Sequence, residues 1–271
     1  MLILLPPSEG KTVPRRGKPL DLAGLSFPEL TESRELLLTA LVDLCAGAHD
    51  PSLPVQNEVL VDLAAEVLGL GPTQVDLVHL NGRLRTAPTA RADRVYTGVL
   101  YDALDAATLS TAAKRRAGTR LAVTSSLFGL VRPGDRIPAY RLSGDTTLPG
   151  VGPVAALWRD ALGAAALEAV GDGLLVDLRS TAYAAFWRPP APLAPRAATV
   201  RVLHESNGKR QVVSHFNKAT KGRLVRAVVE DGGNPRTPAA FADLLRDLGW
   251  KVEEGEPGRK GSQLDVVVSD L

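Results

Sequence analysis

Two continuous apolar runs, Leu121–Thr124 and Leu174–Leu178, constrain this chain more than any other feature. Neither alternates polar with apolar residues, so neither suits a sheet face open to water; each reads as a central strand covered on both sides. Leu2–Leu5 has the same character and is stopped by Pro6-Pro7, and Ala155–Val170 reads as a helix between the two later runs. Buried strands joined through helices specify an α/β sheet. A different signal lies at Asn207-Gly208, between β-rich Val200–Ser206 and Lys209–Phe216. Both central positions of a tight hairpin favour positive φ, which asparagine and glycine tolerate, so an antiparallel pair is expected and the sheet is mixed.

The remaining chain fills in around that sheet. Thr31 is placed to cap a helix to about Ala46, with Leu36, Leu37, Ala40, Leu41 and Leu44 as its apolar stripe. A second helix covers roughly Glu58–Leu68, and Asp93–Leu109 reads as helix in two pieces around Thr97-Gly98. Beyond the hairpin come helices over Lys218–Glu230, with Asn217 as its cap, and Pro238–Leu248, then strands Trp250–Glu253 and Leu264–Val268. No repeat or low-complexity linker divides the chain. We expect one α/β domain over residues 1–271, a mixed sheet with surrounding helices, with residues 56–110 as a helical insertion.

Charge and cysteine content narrow the function classes. A net charge of +2 makes any nucleic-acid surface a local patch. The lone cysteine, Cys45, leaves no internal disulfide or multi-thiolate metal site, as suits a reducing compartment. Met1–Leu5 is too short for a secretory signal, and no apolar run approaches the ~18–20 residues a membrane span needs. A cytoplasmic protein without membrane contact is expected.

Several familiar motifs fail. Gly10-Lys11-Thr12 follows a strand as in a phosphate-binding loop, but Leu5 stands where that motif needs its first glycine. The histidines, His49, His79, His204 and His215, are far apart and lack cysteine or spaced histidine partners, which argues against zinc. His204 and His215 are expected to face each other across the hairpin as a structural pair. No metal or cofactor is expected, and no carboxylate pair or activated nucleophile stands out, so catalytic residues remain unassigned.

What the residues favour is an anion site. Both later apolar runs end in hydroxyls with arginine nearby: Ser125 and Ser126, followed by Arg132, Tyr140 and Arg141, and Arg179, Ser180 and Tyr183. Were the two strands neighbours, these groups would converge on the carboxyl edge of the sheet, where open α/β folds bind ligands. The helix after the hairpin adds lysines. Counted from Lys218, Lys221 lies at roughly 300°, within the arc of Leu224, Val225, Val228 and Val229, whereas Arg223 and Arg226 lie at roughly 140° and 80°. Lys218 and Lys221 thus share the inward face, and Gly222 would leave space for a close ligand. From Arg201 to Arg226 the basic residues are opposed by a single acid, Glu205. Arginine forks and lysine point charges suit phosphate or carboxylate. Ser8 and Lys11, just after the first strand, are further candidates.

The chain also resembles the YaaA peroxide-stress family over almost its whole length. The resemblance is carried by LILLPPSEGKT (Leu2–Thr12), VYTGVL (Val95–Leu100), SSLFGLVRPGDRIPAYRL (Ser125–Leu142), LWRD (Leu157–Asp160), VDLRSTAYAAF (Val176–Phe186) and VVSHFNKATKGRLVRAVV (Val212–Val229), in order. It implies a cantaloupe-like mixed α/β fold, a positively charged cleft, binding to double-stranded or branched DNA, and a role in limiting damage from hydrogen peroxide and unincorporated iron. It also implies a helix-hairpin-helix around Val95–Val99, with Tyr96 and Gly98 beside a phosphate. Ala92-Asp93-Arg94 stands where relatives tend to carry Lys-Gly before this motif, and SEGKT where they often show SPAKT. The expected function is therefore non-specific binding of the DNA backbone. The alternative is an enzyme using the same cleft on a small phosphorylated or nucleobase-like substrate, a small anionic ligand.

Overall fold

The computed structural model describes residues 1–46, 54–206, 209–256, 258 and 261–269. His49 and the expected turn residues Asn207-Gly208 lie outside these. The core is an eight-stranded mixed sheet. Its centre is β1 (Leu2–Leu5), with β2 (Leu121–Ser125) parallel on one side and β4 (Leu175–Asp177) parallel on the other. Beyond β4 lie β5 (Ala197–Ser206) and β8 (Ser262–Val268), also parallel. Antiparallel strands finish the sheet: β3 (Gly129–Val131) on β2, β7 (Lys251–Glu254) on β8, and β6 (Lys209–Gln211) on β5. Leu2, Ile3 and Leu4 are fully buried, as a strand covered on both faces requires.

The two diagnostic apolar runs are therefore not neighbours; β1 lies between them. The connection from β1 to β2 carries α1 (Thr31–Ala46), α2 (Pro54–Val67), α3 (Asp76–Gly82), α4 (Ala92–Val95), α5 (Val99–Leu104) and α6 (Thr111–Arg120). The segment expected as an insertion lies within this crossover. α7 (Val154–Val170) precedes β4, α8 (Thr181–Ala184) follows it, and α9 (Ser214–Asp231) and α10 (Pro238–Asp247) precede β7. No helix among the described residues is long and apolar enough to cross a membrane.

Local details depart from the sequence reading in four places. The Thr31 hydroxyl donates to the Pro28 carbonyl and so closes the preceding 3-10 turn instead of capping α1. The inward stripe of α1 is Arg34, Leu37, Leu38, Leu41 and Cys45, while Leu36 is half exposed. An arginine in the apolar face hid that periodicity: Arg34 donates to the carbonyls of Ser26, Phe128 and Leu130, and burial lowers its pKa to about 10 despite Asp135 nearby. α9 begins at Ser214, so Asn217 lies inside the helix instead of capping it. β6 ends at Gln211, which stands opposite His204; His215 belongs to α9 and is not its cross-strand partner.

Candidate functional site

β1 and β4 are adjacent, but their onward connections lead to opposite sides of the sheet, to β2 and to β5. Such a reversal opens a crevice at the carboxyl ends of the two strands. Pro6–Gly10 leaves β1 there, and Leu178, Ser180 and Tyr183 leave β4. The turn from Thr97 into α5 and the α9 residues Asn217, Lys218 and Lys221 complete a cleft of about 440 Å³.

Each wall is held by specific bonds. The Tyr101 hydroxyl donates to the Pro6 carbonyl at 2.6 Å, and the Thr97 amide donates to the Ser8 hydroxyl at 3.1 Å. Lys221 is nearly buried and donates to the Leu178 carbonyl at 2.9 Å. Burial lowers its pKa to about 8, opposed by Asp177. Lys218 stands exposed in the cleft, and the buried side-chain carbonyl of Asn217 has no partner. Gly98, at φ 90°, has open space where a Cβ would sit.

A second cavity, of about 260 Å³, lies on the other side of Glu9 and Gly10 and is bordered by Lys11, Tyr140 and Arg141. Lys11 donates to the Ser8 carbonyl at 2.7 Å and lies 4.2 Å from the centre of the Tyr140 ring. Burial and the charge of Arg141 lower its pKa to about 7, with Glu9 acting the other way. Behind this cavity the Tyr140 hydroxyl is 2.8 Å from that of Ser125 and 3.1 Å from that of Tyr96. Burial pushes the pKa of both phenols up.

The structure thus sorts the expected site residues. Ser8, Gly98, Ser180, Tyr183, Lys218 and Lys221 line the cleft, and Lys11, Tyr140 and Arg141 border the second cavity. Tyr96, Ser125 and Ser126 are buried in the framework; Ser126 donates to the Leu142 carbonyl and accepts from the Trp158 indole through its own carbonyl. Arg132 does not converge with them. It bonds the Leu121 carbonyl at the amino end of β2 and covers the Phe27 ring, because antiparallel β3 has carried the chain back along β2. Gly222 makes no room for a ligand either: a Cβ there would lie 2.2 Å from the Leu100 carbonyl oxygen, so the glycine lets α5 and α9 touch.

The basic run is also largely engaged. Arg201 pairs with Asp265, Arg210 with Glu205 and Glu253, and Arg226 with Asp105 and two carbonyls of the same turn. Asp177 is paired as its burial requires, by both the amide and the guanidinium of Arg179. The sequence reading missed Thr97 and Tyr101 as cleft residues; the signal that could have found them is the Thr97-Gly98 break itself, with Tyr101 one turn beyond it. Among the described residues, no cluster of three or more His, Cys, Asp or Glu could hold a metal.

A family model described as peroxide stress protein YaaA matches residues 1–255. The chain belongs to the YaaA family. It is 50% identical over 273 residues to a UPF0246 protein of Streptomyces coelicolor, with both chains covered completely. It is 43% identical to a UPF0246 protein of Corynebacterium efficiens, across 98% of this chain and all of that relative. A UPF0246 protein of a Ruegeria species is 31% identical across 64% of this chain and 77% of its own. In this YaaA-family member the segments that carried the resemblance also build the site. Leu2–Thr12 and Val176–Phe186 form the crevice, and Val95–Leu100 and Val212–Val229 form its other walls. Ser125–Leu142 supplies the hydroxyl network, and Leu157–Asp160 supplies Trp158, which holds the Ser126 carbonyl at 2.6 Å.

Proposed function

We propose that this YaaA-family protein acts in the peroxide-stress response by gripping DNA phosphates at the switch-point cleft, without reading bases. The observation that carries this reading is the meeting of Lys218, Lys221, Ser8, Ser180 and Tyr183 in one cleft, opposite the Thr97-Gly98 turn. Lysines and hydroxyls contact phosphate oxygens and position a duplex without sequence information. The short helices α4 and α5 on either side of Tyr96-Thr97-Gly98 are the segment assigned here to the helix-hairpin-helix, and the open space at Gly98 suits close approach of a phosphate. With Arg201, Arg210 and Arg226 already engaged, about two or three phosphates are in reach. Log affinity for duplex DNA should then fall with log salt at a slope of roughly −2 to −3, and scrambling the sequence should leave affinity unchanged. A slope near zero, or strong sequence preference, refutes the proposal.

A second reading is favoured by one feature. Lys221, lowered to about 8, sits at the base of a cleft of about 440 Å³, a size suited to a small substrate. A desolvated amine of that kind can serve as base or nucleophile. On this reading the cleft holds a small phosphorylated or nucleobase-like substrate.

A further inference from the structure

The Ser8–Gly10 loop separates two spaces, and the second, on the side of Lys11 and Arg141, has a chemistry of its own. Asn81 clamps the Arg141 backbone, accepting from its amide at 2.9 Å and donating to its carbonyl at 2.7 Å. The Arg141 side chain is only 15% exposed, one terminal nitrogen donates to the Glu9 carboxylate, and Nε is buried with no partner. A buried guanidinium N–H without an acceptor is uncommon and destabilising. Glu9 itself is 69% exposed, held at the cavity by its charge pair and not by packing. Lys11 borders the same space, with its ammonium on the Ser8 carbonyl.

We propose that the cavity between Lys11 and Arg141 is a phosphate-binding site whose resident anion is the Glu9 carboxylate, which swings outward when a phosphate enters. The site is separate from the DNA cleft, and either can fail alone. Arginine presents a planar fork that grips two oxygens of a tetrahedral oxyanion, and the unpartnered Nε belongs to that fork. Two cations facing one exposed carboxylate favour a dianion over a carboxylate ligand. Glu9, Arg141, Tyr96 and Tyr140 are the charged and titratable groups around Lys11. The lowered pKa of Lys11 fits the same picture, because an incoming anion would restore its charge.

The test is a titration of the full chain with inorganic phosphate, followed by the ¹³Cε resonances of its lysines, with Glu9→Gln compared with wild type. Glu9 is exposed, so the variant should keep the wild-type circular dichroism spectrum. Phosphate should shift the Lys11 resonance and raise its titration midpoint. Glu9→Gln should bind phosphate about fivefold more tightly, the effect of removing one exposed competing ion pair. Acetate should bind more weakly than phosphate in both proteins. The proposal is overturned if Lys11 does not respond up to tens of millimolar phosphate, even where Lys218 or Lys221 does. Unchanged or weaker binding by Glu9→Gln, or acetate binding as tight as phosphate, overturns it equally.

Discussion

Lys221 donates its ammonium to the Leu178 carbonyl at 2.9 Å, joining the middle of α9 to the first residue after β4. Lys218, one turn earlier on the same helix, lines the same cleft but stands exposed. Lys221 therefore carries a structural bond that Lys218 lacks, though both line the cleft. Lys221→Ala leaves a buried carbonyl unpaired and should lower the unfolding free energy by about 1–3 kcal/mol in urea denaturation. Lys218→Ala should stay within about 0.5 kcal/mol of wild type yet weaken DNA binding. Equal losses of stability would show that Lys218 is structural too.

Stability should rise with pH across the neutral to mildly alkaline range. Lys11 and Lys221 are lowered from 10.5 to about 7 and about 8, so above those values the folded chain has released protons that the unfolded chain still holds. Wherever the unfolded state binds more protons, raising pH favours folding. The cost of the two buried charges is thus full below about pH 7 and declines from there toward pH 10. Above about pH 10 the trend should reverse, since Tyr96 and Tyr101 are raised well above their ordinary 10.0 and stay protonated in the fold. Chemical denaturation at stepped pH measures the slope, and Lys221→Met should flatten it.

Gly222→Ala tests the contact that shapes the cleft. The added methyl would lie 2.2 Å from the Leu100 carbonyl oxygen and 2.8 Å from the Ala103 side chain. Backbone cannot yield as a flexible side chain does, so α5 and α9 must part, at a cost of about 1–3 kcal/mol or more. Thermal unfolding should show the loss, and DNA affinity should fall with it because α5 carries the cleft-lining turn. A fully stable variant would refute the close packing.

Lysine-reactive probes distinguish a reactive amine from a buried one. At about pH 7.5 the Lys11 amine, lowered to about 7, should label ahead of exposed Lys18 and Lys251. Lys221 is also lowered and, like Lys11, bonded to a carbonyl, but it is 8% exposed where Lys11 is only partly buried, so it should label late. Early labelling of Lys221, blocked by a small phosphorylated compound, would instead favour the enzymatic reading of the cleft.

The sequence was most legible where the signal is local. Continuous apolar runs located β1, β2 and β4, and angular spacing placed Lys221 among Leu224, Val225, Val228 and Val229. The same arithmetic put Lys218 inward as well, but angle does not say where a covering element stops. α5 meets α9 at Gly222, and Lys218, a turn before it, opens onto the cleft. Arg132 was misplaced because three residues of β3 reverse the chain inside a stretch that reads as one loop, while Tyr140 and Arg141 return to the carboxyl edge. The arginines of the basic run looked free because their partners, Asp265, Glu253 and Asp105, lie far away in sequence.

The position of β1 has a consequence for how the chain is made. The strand at Leu2–Leu5 leaves the ribosome before any other strand of the sheet, yet its hydrogen-bonding neighbours are Leu121–Ser125 and Leu175–Asp177. Long-range pairing of this kind is slow, and an apolar strand kept waiting is open to wrong partners. Until Leu121–Ser125 has been synthesised β1 has no partner at all, and until Asp177 follows it still lacks its second neighbour, leaving the helices no complete sheet to pack against. Nascent chains should therefore call on holding chaperones through the first two thirds of translation, and folding should come late and all at once.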